Sequence, residues 1–163
     1  MSRNNRIISV ASNEALKSTQ SFRHGAVITG KGGKVLCTGY NKGNRSKLLG
    51  KVFTCVHAEM DVINKFMNGF LIPKYGNNYK KHTKKYDVWV VRLDGTHDNG
   101  YASSKPCHYC SLLLKNYGFN KIYFTKDHNT LECVRIDVLE SSHKSACQRK
   151  SEKLTLDIKY RLF

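Results

Sequence analysis

"KIYFTKDHNTLECVRIDVL", residues 121–139, decides the topology of this chain. Two apolar runs, 121–125 and 131–139, read as strands, and only residues 126–130 separate them. Parallel neighbours need a crossover of about a dozen residues, whereas antiparallel neighbours need only a tight turn. If these strands are neighbours, they pair as a hairpin.

Upstream, "PCHYCSLLLKNYG" places Pro106 at the first helical position and Gly118 just past the last turn, so a helix is expected between them. "DVWVVRL" (87–93) is a buried strand. "TCVHAEMDVINKF" (54–66) carries Val56, Met60, Ile63 and Phe66 near helical spacing, with Thr54 as a candidate N-cap and a stop at Asn68-Gly69. "HGAVITGKGGKVLCTGYN" is a hairpin of two apolar runs about a Gly/Lys turn. "EALKSTQSF" is a short helix, and residues 42–53 are a basic loop. The order is α, β, β, α, β, α, β, β. That order predicts one α/β domain over 1–163, an α-β-α sandwich about a mixed five-stranded sheet. Its core covers about 20–139, with an insertion loop over about 70–86 and a weakly patterned tail over 140–163.

Lys and Arg number 28 against 12 acids, a net charge of +16. A balance that basic points to polyanionic partners: nucleic acid, nucleotide phosphates or an anionic surface. The sequence has no apolar run of spanning length and no leader-like apolar stretch near its start, so membrane insertion and secretion are not expected. Six cysteines in such a chain suggest a reducing compartment, cytoplasmic or nuclear, and metal ligation more than disulfides. Cys37 and Cys133 are expected in the core, Cys55 and Cys147 as free thiols, and His97 and His143 at the surface.

Cys107 and Cys110, three apart at a helix start, can reach one ion, and the positive end of the helix dipole favours thiolates there. Alone, a CxxC pair is equally a redox couple or half of a structural zinc site. His57 adds an imidazole. Two thiolates and one imidazole suit zinc, and three protein ligands leave a tetrahedral position for water. The thiolates offset the ion's charge, so this zinc acidifies water less than an all-histidine site. A carboxylate base is then needed, and Glu59 lies two residues from His57.

His57-Ala58-Glu59 followed by Pro106-Cys107-His108-Tyr109-Cys110 resembles the signature of the zinc-dependent nucleobase deaminases. The chain is similar over roughly residues 20–139 to the cytidine deaminase-like superfamily. That group includes cytidine and deoxycytidylate deaminases, tRNA adenosine deaminases and the AID/APOBEC enzymes. The resemblance implies that His57, Cys107 and Cys110 hold one zinc ion. It implies that Glu59 carries protons while water replaces the amine at C4 of cytosine or C6 of adenine. It implies that the Ala58 backbone lines the base pocket, that Asn41 meets sugar or phosphate, and that Lys126 and His128 lie where the flanking base is read. His24, ahead of the first strand, is a further candidate for the pocket.

The short connection over 126–130 resembles the free-cytidine and toxin-like branches, but the Asn-x-Glu pair that free-cytidine enzymes use for ribose is missing from "GYNKGNRSK". From residue 15 to 86 the acids are Glu59 and Asp61 alone, against 14 Lys and Arg. "KYGNNYKKHTKKY" interleaves three tyrosines with five lysines. Stacking rings beside phosphate-binding lysines are how a single-strand groove is built. The sequence therefore favours cytosine deamination in single-stranded polynucleotide, DNA ahead of RNA. Its alternatives are free cytidine or deoxycytidine nucleotides, adenosine in tRNA, and an idle zinc-stabilised nucleic-acid-binding module. Nothing marks an interface with a second copy.

Overall fold

The computed structural model describes residues 1–43, 46–48, 51–53, 55–95, 100–127, 130–145 and 149. Helix α1 spans Arg3–Ala15, its N-terminus capped by the Ser2 hydroxyl, which accepts from the Asn5 amide. Ile7, Ala11 and Ala15 repeat every fourth residue and are fully buried. The first helix is thus earlier than "EALKSTQSF" suggested, because the cap and the apolar stripe both precede that stretch.

Strands β1 (His24–Thr29) and β2 (Val35–Tyr40) form the expected hairpin. A small antiparallel pair, β3 (Ser46–Leu48) and β4 (Lys51–Phe53), occupies part of the expected basic loop. Helix α2 spans Ala58–Phe66. It does not stop at Asn68-Gly69. The chain continues through one π turn over Met67–Leu71 into α3 (Ile72–Tyr75), and it breaks where Gly76 takes a positive φ of 54°. Phe66, Met67 and Leu71 all face the core, so burial carries the helix past the exposed Asn-Gly pair.

The insertion is helical as well, with α4 at Lys80–Thr83. Tyr75, Tyr79 and Tyr86 pack against the core, Thr83 is fully buried, and the Tyr75 ring stacks on His82 at 3.6 Å. These tyrosines therefore do not form the free stacking platform expected of a loop.

Strand β5 (Asp87–Leu93) is central, with β6 (Tyr101–Ala102) folding back on its end. Helix α5 (His108–Tyr117) follows, then β7 (Lys121–Thr125) and β8 (Leu131–Arg135). Cys107, not Pro106, abuts the helix start, as its N-cap. Gly118 closes α5 in the left-handed region at φ 77°, as the sequence indicated. The run to 139 is strand only as far as Arg135; a short turn over Ile136–Val138 follows.

The sheet order is β2-β1-β5-β7-β8, with β6 beside β5. Strands β5 and β7 are parallel, whereas β7 and β8 are antiparallel, as their short connection requires. Alternation along the strands sorts the two faces. Ala26, Ile28, Val88 and Val90 join Val62, Phe66 and Leu114 under α2 and α5. Val27, Trp89 and Val91 join Ile7, Ala11 and Ala15 under α1. Among the described residues, no helix is long and apolar enough to cross a membrane.

Gly25 is where α1 touches the sheet. A Cβ there would stand 1.9 Å from the Ala11 carbonyl oxygen and 2.7 Å from the Ala15 nitrogen, both backbone atoms. Overpacking costs roughly 1–3 kcal/mol, and rigid backbone offers little relief. Gly25→Ala is expected at the upper end, about 3 kcal/mol less stable by urea unfolding.

Cys37 is half-buried on β2, whereas Cys133 is exposed, since it lies on the edge strand β8. The expectation of two core cysteines is corrected for Cys133. Cys55 is disulfide-bonded rather than a free thiol. Cys147 and His97 lie outside the described residues.

Candidate metal centre and pocket

His57 and Cys107 are both helix N-caps, with extended backbones (φ −73°, ψ 156° and φ −70°, ψ 169°). The cap geometry turns each side chain across the end of its helix. The N-termini of α2 and α5 therefore aim at a shared point. Thr54, the candidate cap, lies outside the described residues, and His57 holds the position instead.

Several bonds place the two helix starts. Lys42 and Val56 exchange both backbone hydrogen bonds at 2.9 Å. The Asp61 carboxylate accepts from the Tyr40 amide at 3.1 Å, from Lys42 Nζ at 2.9 Å and from Lys65 Nζ at 2.8 Å, which clamps α2 to the end of β2. Ser104 and Thr125 clasp the segment leading into α5: the Thr125 amide donates to Ser104 Oγ at 2.8 Å, and Ser104 Oγ donates to the Val90 carbonyl at 2.8 Å.

His57 Nδ1 lies 3.5 Å from Cys107 Sγ and 3.4 Å from Cys110 Sγ. All three donor atoms fall within 4.8 Å of one another. With Zn–S near 2.3 Å and Zn–N near 2.1 Å, a tetrahedral ion separates S and N by about 3.6 Å. The triad fits zinc in both donor type and spacing. A hydrogen bond from Cys110 pulls Cys107 down to about 4 against the effect of burial, and the same bond raises Cys110 well above the usual thiol range. Burial opposes protonation of His57, but its bond with Cys107 and the Glu59 charge raise it overall.

Glu59, in the first turn of α2, is 5% exposed. Burial pushes its carboxyl up to about 7, partly offset by His57. It borders a cavity of about 820 Å³ that also contains His57, Ala58 and Cys107. That size suits a small-molecule substrate.

The structure brings His24, Asn41 and Ala58 to this cavity. Asn41 ties β1 in place: its Oδ1 accepts from the His24 amide at 2.8 Å and its Nδ2 donates to the Phe22 carbonyl at 2.7 Å. Lys126 is not part of the cavity lining and pairs with Glu132. His128 lies outside the described residues.

Two contributions were not foreseen. Arg92 enters the cavity from β5. Ser141, His143 and Ser145 wall it from the tail, which is anchored where the His108 amide donates to the His143 carbonyl at 2.8 Å. The alternation Val88, Val90, Arg92 signals the first in the sequence. The second rests on backbone carbonyls and leaves no side-chain pattern to read.

Burial, with the nearby Arg92 charge, lowers His24 to about 4, against its bond to the Phe22 carbonyl. The fold selects the neutral ring. Its stabilising contribution is full above the unfolded value of about 6.5 and is lost as pH falls toward 4. His24→Gln is expected to flatten the fall in Tm across that window.

Residues 1–126 match the family described as "Cytidine and deoxycytidylate deaminase zinc-binding region". The chain belongs to this family. Membership, with the triad, makes it a zinc-binding deaminase of the hydrolase class. The fold resembles cytidine deaminase from Burkholderia pseudomallei at a TM-score of 0.59 and 18% identity, covering 88% of this chain and 100% of that one. Cytidine deaminase from Mycobacterium tuberculosis gives 0.51 at 19% identity, covering 86% and 97%. The dCMP deaminase from cyanophage S-TIM5 gives 0.48 at 20% identity, covering 77% and 83%. No curated protein sequence matches the chain.

Proposed function

We propose that this protein hydrolyses the amine from cytosine carried on a nucleotide, releasing ammonia and leaving uracil. One observation carries the reading. The cavity with His57, Cys107 and Glu59 on one wall presents Arg92, Lys42 and Lys105 elsewhere, and Glu59 is the one carboxylate among its described lining residues. A cation-rich pocket around a single buried acid suits a neutral base on an anionic carrier.

Zinc held by His57, Cys107 and Cys110 would supply Lewis-acid activation of water. Glu59 would take one proton from the attacking water and deliver it to N3 of cytosine, then take the second from the hydroxyl newly bonded to C4 and pass it to the amine, so that the C4–N bond breaks, ammonia leaves and the C4 carbonyl of uracil forms. A carboxyl raised by burial suits both directions, since it gives up and regains a proton near neutral pH. The Ala58 backbone, beside Glu59 in the same wall, is placed to position the base. Asn41 acts from just past the end of β2 by holding the His24 segment at the rim.

A second reading, cytosine within a single strand, has its own support. A neighbouring concavity of about 660 Å³ shares Lys105, Ser141 and His143 with the first and adds Lys115 and His108. A strand could continue there, and the net charge of +16 suits it. The mononucleotide is preferred because Tyr75, Tyr79 and Tyr86 are packed against the core rather than offered to bases.

The test is a side-by-side assay of the zinc-loaded protein on dCMP, CMP, their nucleosides, AMP and a single-stranded oligonucleotide, read by mass and sequencing. Conversion of the monophosphates is expected. Uracil in the oligonucleotide alone would establish the strand reading, and inosine monophosphate from AMP would overturn the choice of base.

A further inference from the structure

The Arg92 side chain makes no ion pair among the described residues. Val88 and Val90 lie two and four residues before it and pack beneath α2 and α5, so alternation turns Arg92 to the zinc side of the sheet. It pairs in register with His24 across β1 and with Ala102 across β6. Its guanidinium carbon sits 4.3 Å from the centre of the Phe22 ring, which also lines the cavity and is 62% exposed. Its Nε is shut off from solvent and has no hydrogen-bond partner among the described residues.

An arginine that supports a fold is normally paired, because an unpartnered desolvated donor is costly. The cavity's other cations differ. Lys42 is held by Asp61, and Lys105 is exposed at the rim. His24, opposite Arg92 across β1, is no anionic partner for it. The planar guanidinium, with its carbon 4.3 Å from the centre of an aromatic ring, matches the paired oxygens of a phosphate.

We propose that Arg92, braced by Phe22, is the phosphate-recognition residue of the cavity and makes the protein select phosphorylated cytosine substrates over free nucleosides. The inference rests on the cytosine-nucleotide reading and names the contact that enforces it.

The experiment titrates zinc-loaded full-length protein calorimetrically with dCMP, deoxycytidine, inorganic phosphate and a cytosine pentanucleotide. Wild type, Arg92→Gln and Arg92→Lys are compared, with a thermal melt of each. Charge-assisted hydrogen bonds predict that wild type binds dCMP about 10- to 100-fold more tightly than deoxycytidine. Arg92→Gln should bring that ratio close to one through dCMP alone, with deoxycytidine unchanged, and Arg92→Lys should fall between. Because the Nε is unpartnered, Arg92→Gln should lose little beyond the Phe22 contact and melt within about 4 °C of wild type. An unchanged ratio in Arg92→Gln, or equal loss of both ligands with a melt lowered further than that, would overturn the proposal. Pentanucleotide binding that exceeds dCMP and weakens in Arg92→Gln would sustain the phosphate contact and place it on a strand. If wild type binds no cytosine compound but loses inorganic phosphate binding on Arg92→Gln, the cytosine reading fails while the phosphate contact stands.

Discussion

Glu59→Gln should abolish turnover and leave a protein at least as stable as wild type. The amide keeps the size and shape of the side chain, so packing around this buried position survives. It cannot accept the proton from water or return it to the base. A positioned acid–base group is typically worth 10²–10⁴-fold, and one carboxyl serving several transfers puts the loss at about 10⁴-fold in kcat. Stability moves the other way. Burial raises this carboxyl to about 7, so the folded state resists the ionised form. Above the unfolded value near 4.5, each pH unit up to 7 costs about 1.4 kcal/mol, an upper bound of about 3 kcal/mol at neutral pH. The neutral amide escapes that cost. At pH 8 the metal-free Glu59→Gln protein should therefore melt a few degrees higher than metal-free wild type. A lower melt with lost activity would make Glu59 a packing residue, and retained activity would remove it from the chemistry.

The gain in stability from losing Glu59 is what a functional residue leaves behind when it sits against the local physics of its fold, and Arg92 is placed the same way. Both carry charge at positions whose neighbours on the same face are apolar, and in both cases the pattern was on view. Val88-x-Val90-x-Arg92 is a strand face that ends in a cation. The helical insertion was legible on the same terms. Tyr75, Tyr79 and Thr83 recur at four-residue spacing and Tyr86 follows at three, one face of a helix, yet interleaved lysines made the segment look like a solvated loop. The first hairpin, the antiparallel pairing of the last two strands and the two ligand-bearing helices followed from connection length and apolar period. The two-residue strand β6 and the tail's wall did not, because both are held by main-chain bonds that any residue could supply.

Removing zinc should cost the protein both its activity and a measurable part of its stability. The triad joins the N-terminus of α2, a helix start fixed by the Asp61 clamp, to the N-terminus of α5, fixed by the Ser104–Thr125 clasp. These two starts are about 50 residues apart in the chain, so an ion that bridges them closes a long loop. Binding confined to the native state adds RT ln(1 + [Zn]/Kd), about 2.7 kcal/mol at a hundredfold excess over Kd. For a domain near 150 residues each kcal/mol moves Tm by about 2–4 °C, so a strong chelator should lower Tm by roughly 5–10 °C. Re-addition of zinc should restore Tm and turnover together. Cys110→Ser should show the chelated Tm from the outset and ignore both treatments. Its thiol is fully buried and lies 3.4 Å from His57 Nδ1. Glu59→Gln provides the control, since it keeps the triad and should respond to chelation as wild type does. A chelator that silences the enzyme without moving Tm would mean that the two helix starts are held by the protein's own bonds, with the ion there for chemistry alone.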